Sequence, residues 1–498
     1  MIKHQGYLLA TLGTMAVAFA FVLAVPTTRA DSGNWDEQPE DNSWFNIQNW
    51  SGGNVPNGLN DVARFGPSAI TEILATTVQN FSLAEVDFDS DAPVYTITID
   101  TPTIVTTIDG NGVMNGSSNS HTFHLQDGTR LNFVNNSTAG EEVNYVVDSS
   151  SQLGFEDNST AGTAQYMVDN AALSFDGTSA AGEAIITNTA TVSLPGVTSF
   201  SGSSSGGNAT LIAMDGPILG GAIYFFDGEA NGTSGGTCKV QLFGNGLLDI
   251  SPVALANGGF DVVTIGSLSG DGQVFLGSAN LTVGSDDLTT SFSGPIQDGG
   301  AAGRTGGSLT KIGKGILTLS GANTYTGGTI ISDGTVVAKN RSGSATGAGA
   351  VQVDAGSLSG RGTISGPVTI GTGDGAGASL TPSDNSSATS VTTLQSTVTF
   401  KADGTYSCKV SSSKGRADKV IANGVTIEAG AKFTLTVVGN KKLALGTNFL
   451  ALNNTSTTPI NGTFDNLPEG SVLTFRKNSY EVSYFGGDGN DLVLTVVQ

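Results

Sequence analysis

Two cysteines, Cys238 and Cys408, stand in 498 residues. A disulfide-stapled scaffold is thereby excluded. The two are 170 residues apart, too far to approach within the ~7 Å between Cα atoms that a bridge requires unless the chain folds back on itself. They are expected to be separate thiols. Histidine is scarcer still for a chain of this length: His4, His121 and His124 are the only three. On a strand, His121 and His124 have opposite parity and face opposite ways, so they cannot chelate one metal. No HExxH or phosphate-loop pattern occurs, and no cofactor is expected. Basic residues are nearly missing from residues 31–300, where 31 acidic residues meet only Arg64, Arg130 and Lys239. Nucleic acid and anionic membranes are poor partners for such a surface. Residues 301–498 carry 12 acidic and 16 basic residues, a small and scattered excess. Proline (14) is sparse beside glycine (70) and no triplet period exists, which excludes collagen. Beyond residue 25 no apolar run is long enough to span a bilayer as a helix.

The one long apolar run, residues 8–25, follows Lys3 and precedes Thr28-Arg29-Ala30, a small-x-small cleavage pattern. Residues 1–30 thus read as a secretory signal peptide, so the mature chain is expected to be exported and not integral to a membrane.

What is present is short-period alternation. Phe133, Phe155, Phe175 and Phe200 are each followed four positions later by Ser (Ser137, Ser159, Ser179, Ser204) and seven later by Gly (Gly140, Gly162, Gly182, Gly207). The spacings of 22, 20 and 25 residues suit one coil of a parallel β-helix. Leu131, Leu153 and Leu173 lie two positions before the first three Phe residues, on the same strand face. Leu and Phe ladders are therefore expected inside the solenoid, about 4.8 Å per coil. The variable spacing implies variable loops along one edge, where partner contacts would sit. A second phrase, Gly-Ser-Leu-[Ser/Thr]-x-x-Gly, recurs at 266–272, 307–313 and 356–362.

Within residues 307–338, β-forming runs at 308–312, 316–319, 329–332 and 335–338 alternate with glycine turns. A unit this short cannot bury its apolar face alone and must stack. Its Leu309-Thr310-Lys311, Gly313, Gly315, Leu317-Thr318-Leu319-Ser320-Gly321, Asn323-Thr324-Tyr325-Thr326-Gly327 and Gly334-Thr335 closely resemble the passenger-associated transport repeat, also called the autotransporter-associated β-strand repeat. The resemblance implies a bacterial, exported, β-helical protein of the cell surface or medium. In the best-known setting of this repeat an outer-membrane barrel follows the passenger. Residues 386–498 do not show the ten-residue lipid-facing strands and aromatic girdles of one.

The expected architecture is all-β: a right-handed parallel β-helix over residues 67–385, an N-terminal aromatic cap over 31–66 and a β-rich cap over 386–498, after the turn-rich stretch 380–390. All three tryptophans, Trp35, Trp44 and Trp50, lie in the first cap. They cover the open solenoid end or offer indole faces to a sugar. Asp148 and Asp169 follow Tyr145-Val146-Val147 and Tyr166-Met167-Val168 and are expected on adjacent coils, as turn residues or as the carboxylate pair of a glycosidase. Residues 486–494 fit the calcium nonapeptide G-G-x-G-x-D-x-U-x letter by letter. That motif binds between stacked copies, and one copy lacks half the ligands, so a Gly-Asp turn is the simpler account. Taken together, the sequence points to a structural or adhesion-type surface protein without catalysis, meeting extracellular polysaccharide or surface proteins. A polysaccharide lyase or hydrolase on the same fold is the alternative. Candidate contacts are Trp35, Trp44, Trp50, Asp148 and Asp169.

Overall fold

A computed structural model describes residues 32–498 except 78, 101, 103–104, 193, 227–233, 253–261 and 384–388. The segment expected to be a signal peptide, residues 1–30, lies outside the described residues. The described chain is almost entirely strand and turn, wound as a parallel β-solenoid of about 14 turns.

Each coil contributes to three sides in chain order. The first side stacks Arg130–Val134, Gln152–Phe155, Ala172–Phe175, Val197–Phe200 and Ala222–Phe225 in parallel register, so that Phe133, Phe155, Phe175, Phe200 and Phe225 fall in one column. Alternation places these rings inward, and they stack nearly parallel at 4.8–5.0 Å. The spacing is that of neighbouring strands. The second side begins as single-residue bridges linking Thr138, Thr160, Ala180, Ser205 and Ser234. It widens at Val262–Ile265 into a sheet that runs on to Val425–Ile427. The third side stacks His121–Leu125, Val143–Val147, Gln165–Asp169 and their successors in parallel through Lys432–Val438. Tyr145 and Tyr166 stack inside it at 5.0 Å.

The corner between first and second sides explains the Phe–Ser–Gly spacing. Ser137, Ser159, Ser179 and Ser204 are fully buried. Three residues on, Gly140, Gly162, Gly182 and Gly207 have φ between 56° and 90°. A Cβ at Gly162 would lie 2.5 Å from the carbonyl oxygen of Gly140 on the coil below, so glycine is required by both conformation and space.

The first-side sheet ends at Ile296–Gln297, yet its hydrogen-bond column does not. Asn323, buried, accepts from the Ile296 amide through Oδ1 (2.8 Å) and donates through Nδ2 to the Ala345 carbonyl (2.5 Å). Ala345 N–H donates to Thr363 O, and the Thr363–Ile364 strand starts a new sheet with Val391–Leu394. An amide side chain thus replaces a missing strand, for it carries the same donor and acceptor as a peptide.

The boundary expected at residue 385 falls inside this ladder. Parallel pairing continues through Val398–Phe400, Gly404–Ser411, Lys419–Ala422 and Lys432–Val438. The strands that flank the turn-rich stretch, Ala378–Thr381 and Val391–Leu394, both pair in parallel with later strands of the ladder. Lengthening the connection between two ladder strands costs little in closure entropy. After the short antiparallel turn of Gly404–Ser411 onto Arg416–Ala417, an antiparallel sheet forms at the C-terminal end: Asn448–Asn454 pairs with Asp491–Val496, that strand with Asn478–Gly486, and that one with Val472–Phe475. The recurring Gly-Ser-Leu phrase, too, does not mark one position in the coil. Ser267–Gly270 and Gly356–Gly360 lie on the third side, Ser308–Lys311 on the second. The phrase encodes a turn into a strand with Leu inward, and either side can use it.

At the N-terminal end, Gly33–Trp35 pairs in parallel with Val62–Phe65, and that strand with Phe81–Phe88. Trp35, Trp44 and Trp50 are buried in contact with one another and with Phe65. They close the first rungs of the ladder.

Candidate functional site

The residues singled out by the sequence are not brought together. No indole face of the cap is free for a sugar ring: the three tryptophans are 2–3% exposed. Their N–H groups are spent on the carbonyls of Ile70, Pro56 and Trp44.

Asp148 and Asp169 do lie on adjacent coils, since Val147 pairs with Val168 immediately before them. Their carboxylates reach apart along the axis. Asp148 Oδ2 meets His124 Nε2 of the preceding coil at 2.8 Å, whereas Asp169 accepts from the amide and hydroxyl of Thr191 on the following coil. The same corner arrangement recurs higher up: Asp215 accepts from Asn245 N–H, and Asp271 from Gly244 N–H. Asp169 and Asp215 therefore cap the backbone of the coil above and Asp271 that of the coil below, and a carboxylate engaged in this way is not poised for acid–base chemistry.

Of the two described histidines, His121 lies beside a hydroxyl, with Nε2 3.0 Å from Ser117 Oγ. Its Nδ1 accepts the Tyr95 amide proton, so the neutral ring carries its proton on Nε2 and donates to Ser117. A ring in that tautomer cannot take a proton from the serine. It is buried, lies flat on Phe88 at 3.7 Å, and desolvation holds its pKa down to about 4. The arrangement is structural.

The nonapeptide at 486–494 forms the turn of an antiparallel hairpin rather than of a coil. Asp491 Oδ1 accepts from Asn454 N–H, and no group of three metal-ligating side chains occurs among the described residues. Both cysteines are buried free thiols.

One recess has another character. Along the outer face of the third side, registered positions place Ile316, Thr335 and Ser357 in one column and Thr318, Val337, Ser359 and Thr381 in the next. Together with Thr289, Lys339 and Ser383 they line a shallow groove of about 310 Å³. Val337, Ser359 and Ser383 form its buried floor, and Lys339 stands exposed at its rim. The Ser359 hydroxyl donates to Ser383 O at 3.4 Å. Behind the groove, Asp418 is fully buried. Burial pushes its carboxyl pKa up, although the amides of Ser390 and Lys409 donate to it. The chemistry offered is hydroxyl pairing, two apolar contacts and one cation. Sequence reasoning passed over this groove because Thr and Ser at alternate positions are ordinary on an outward strand face. Its signal lay in the register, which lines them up only once the coils are stacked.

Residues 309–338 match the family model of the Passenger-associated-transport-repeat. Polar members of this segment have buried structural tasks. Lys311 Nζ donates to the carbonyls of Ile312 and Gly313 (2.5 and 2.7 Å), its pKa lowered by burial against the pull of Asp333, Asp287 and Asp286. Tyr325 OH bonds Thr329 Oγ1 at 2.6 Å. No curated protein matches the chain. What the comparison establishes is a Passenger-associated-transport-repeat built into one stretch of a β-solenoid.

Proposed function

We propose that this protein is an exported, passenger-type rod that acts by binding, and that it holds extracellular polysaccharide in the groove of the third side. The groove carries this reading. Hydroxyls both donate and accept, as sugar hydroxyls do, while Ile316 and Val337 suit the apolar C–H face of a pyranose and Lys339 suits a uronate carboxylate. The repeat at 309–338 supports export as a passenger, and no helix among the described residues is long and apolar enough to cross a membrane.

The test is a titration of the purified chain with neutral and acidic polysaccharides, assayed for affinity and for new reducing or unsaturated ends. Binding without new ends is expected, with affinity for acidic glycans falling about tenfold in Lys339→Glu. Turnover that disappears in Asp148→Asn or Asp169→Asn would establish the hydrolase or lyase instead.

A further inference from the structure

The coils between Gln165–Asp169 and Leu247–Asp249 carry the longest described loops of the aromatic half, at the corner where the third side passes to the first. Residues 190–196 and 214–221 both contain Pro-Gly or Gly-Pro, as Leu194-Pro195-Gly196 and Gly216-Pro217-Ile218. Their tips expose Val192, Leu194, Ile218 and Leu219, with Ile218 69% accessible. Beside them, Met214 and Phe243 are also exposed. Each directly follows one of the paired residues Ala213 and Leu242, so they stand on adjacent rungs of the same outer face.

The described residues of these loops are tied down by backbone hydrogen bonds. Gly216 N–H donates to Asn245 Oδ1 (2.8 Å), and Asn245 Nδ2 returns a bond to Gly216 O (2.9 Å). Gly221 N–H closes its loop onto Met214 O, and Gly196 N–H closes the other onto Thr189 O. A Cβ at Gly216 would fall 2.8 Å from that of Ala190, so the two loops are packed against each other. Apolar side chains displayed on proline-stiffened, hydrogen-bonded loops lose little entropy on contact, and a cluster of this kind on a soluble surface marks an interaction site.

We propose that this ridge docks a protein partner whose contact surface is an apolar spot ringed by Lys and Arg. Charge chooses the partner. The ridge is flanked by Asp169, Asp215 and Asp271 and sits in the half of the chain with 31 acidic and three basic residues. A second copy of that half would be repelled, as would an anionic membrane, while a cationic rim is steered in. This site is separate from the groove and does not depend on it.

The experiment uses the full chain and defined probes: a labelled amphipathic Lys/Leu peptide, a Lys/Ser peptide of equal charge and a Glu/Leu peptide of equal apolar content, read by fluorescence anisotropy. The Lys/Leu peptide is expected to bind about tenfold tighter than either control and to weaken with salt. Ile218→Ser and Phe243→Ser, both at exposed positions, are expected to lower its affinity about fivefold each with an unchanged β circular dichroism spectrum and unchanged polysaccharide binding. Equal binding of the Lys/Leu and Lys/Ser peptides, or affinity untouched by both variants, overturns the proposal. So does sedimentation showing a dimer that Ile218→Ser dissolves, which would make the ridge a contact between copies. Capture by phosphatidylcholine vesicles that Ile218→Ser abolishes would likewise replace the protein partner with a lipid surface.

Discussion

The aromatic half and the half that carries the transport repeat wind the same ladder by different means. From Arg130–Val134 to Val197–Phe200 each coil repeats one recipe: Leu (Thr198 in the last), Phe two positions on, a buried Ser at the corner and a left-handed Gly. Register is kept by like stacking on like. From Ser308–Lys311 onward the inward columns are aliphatic and mixed. Lys311 pairs with Ile331, and beyond it follow Val353, Ile370, Phe400 and Ile427. Here polar groups inside the coil keep register by completing hydrogen bonds: the amide of Asn323 and the ammonium of Lys311. A solenoid core therefore tolerates polar side chains when each one meets a specific backbone partner.

The sharpest way to break this comparison is to remove one ring. Phe155→Ala leaves a cavity between two stacked neighbours, Phe133 and Phe175, and should cost about 3–5 kcal/mol. Hydrogen exchange should show the loss concentrated on the adjacent coils, because each coil contacts mainly the next. Loss spread evenly to Lys432–Val438 would mean that the two halves unfold as one unit. In the other half the matching change is Asn323→Ala. It orphans the Ile296 amide and the Ala345 carbonyl and should cost about 2–3 kcal/mol, read as a lower denaturation midpoint. Asn323→Asp keeps the acceptor but sets an unpaired carboxylate oxygen against the Ala345 carbonyl, and should lower the midpoint at least as far.

A smaller effect separates the halves by pH. The folded-state pKa of His121 lies at about 4, below the ordinary 6.5. Between those values the unfolded chain binds more protons, so the contribution of His121 to stability is complete above pH 6.5 and is lost as pH falls toward 4. The melting temperature of the aromatic half should drop across that window more than that of its His121→Phe variant. That variant retains an aromatic face for Phe88 but cannot be protonated. Parallel curves for the two proteins would remove His121 as the cause.

The aromatic half was legible because its recipe recurs with nearly constant spacing: Phe133, Phe155 and Phe175 predict their own stacking once period 2 is combined with a 20-residue coil. The other half was legible as solenoid mainly through the residues shared with the transport repeat. Its extent was misjudged because the turn-rich stretch near residue 385 looks in sequence like a linker, while the strands before and after it both belong to the parallel ladders. Asn323 could not have been assigned its ladder role, since a side chain that substitutes for a strand leaves no alternation behind. For the candidate site, the positions of Asp148 and Asp169 on adjacent coils were foreseeable, but the direction of their carboxylates was not. Direction depends on His124 and Thr191, one coil below and one above.

The split in charge has a consequence of scale. About 14 coils at ~4.8 Å each make a rod roughly 65–70 Å long, whereas mobile ions at physiological strength screen a field within ~8 Å, less than the rise of two coils. The 31 acidic residues of the first part and the near-balanced charge of the second are thus electrically out of earshot of each other. A cation approaching the loops around Ile218 feels only the acidic stretch, and an anionic chain approaching Lys339 is spared its repulsion. One continuous backbone ladder can so present two surfaces of opposite preference, insulated by nothing more than its own length in salt water.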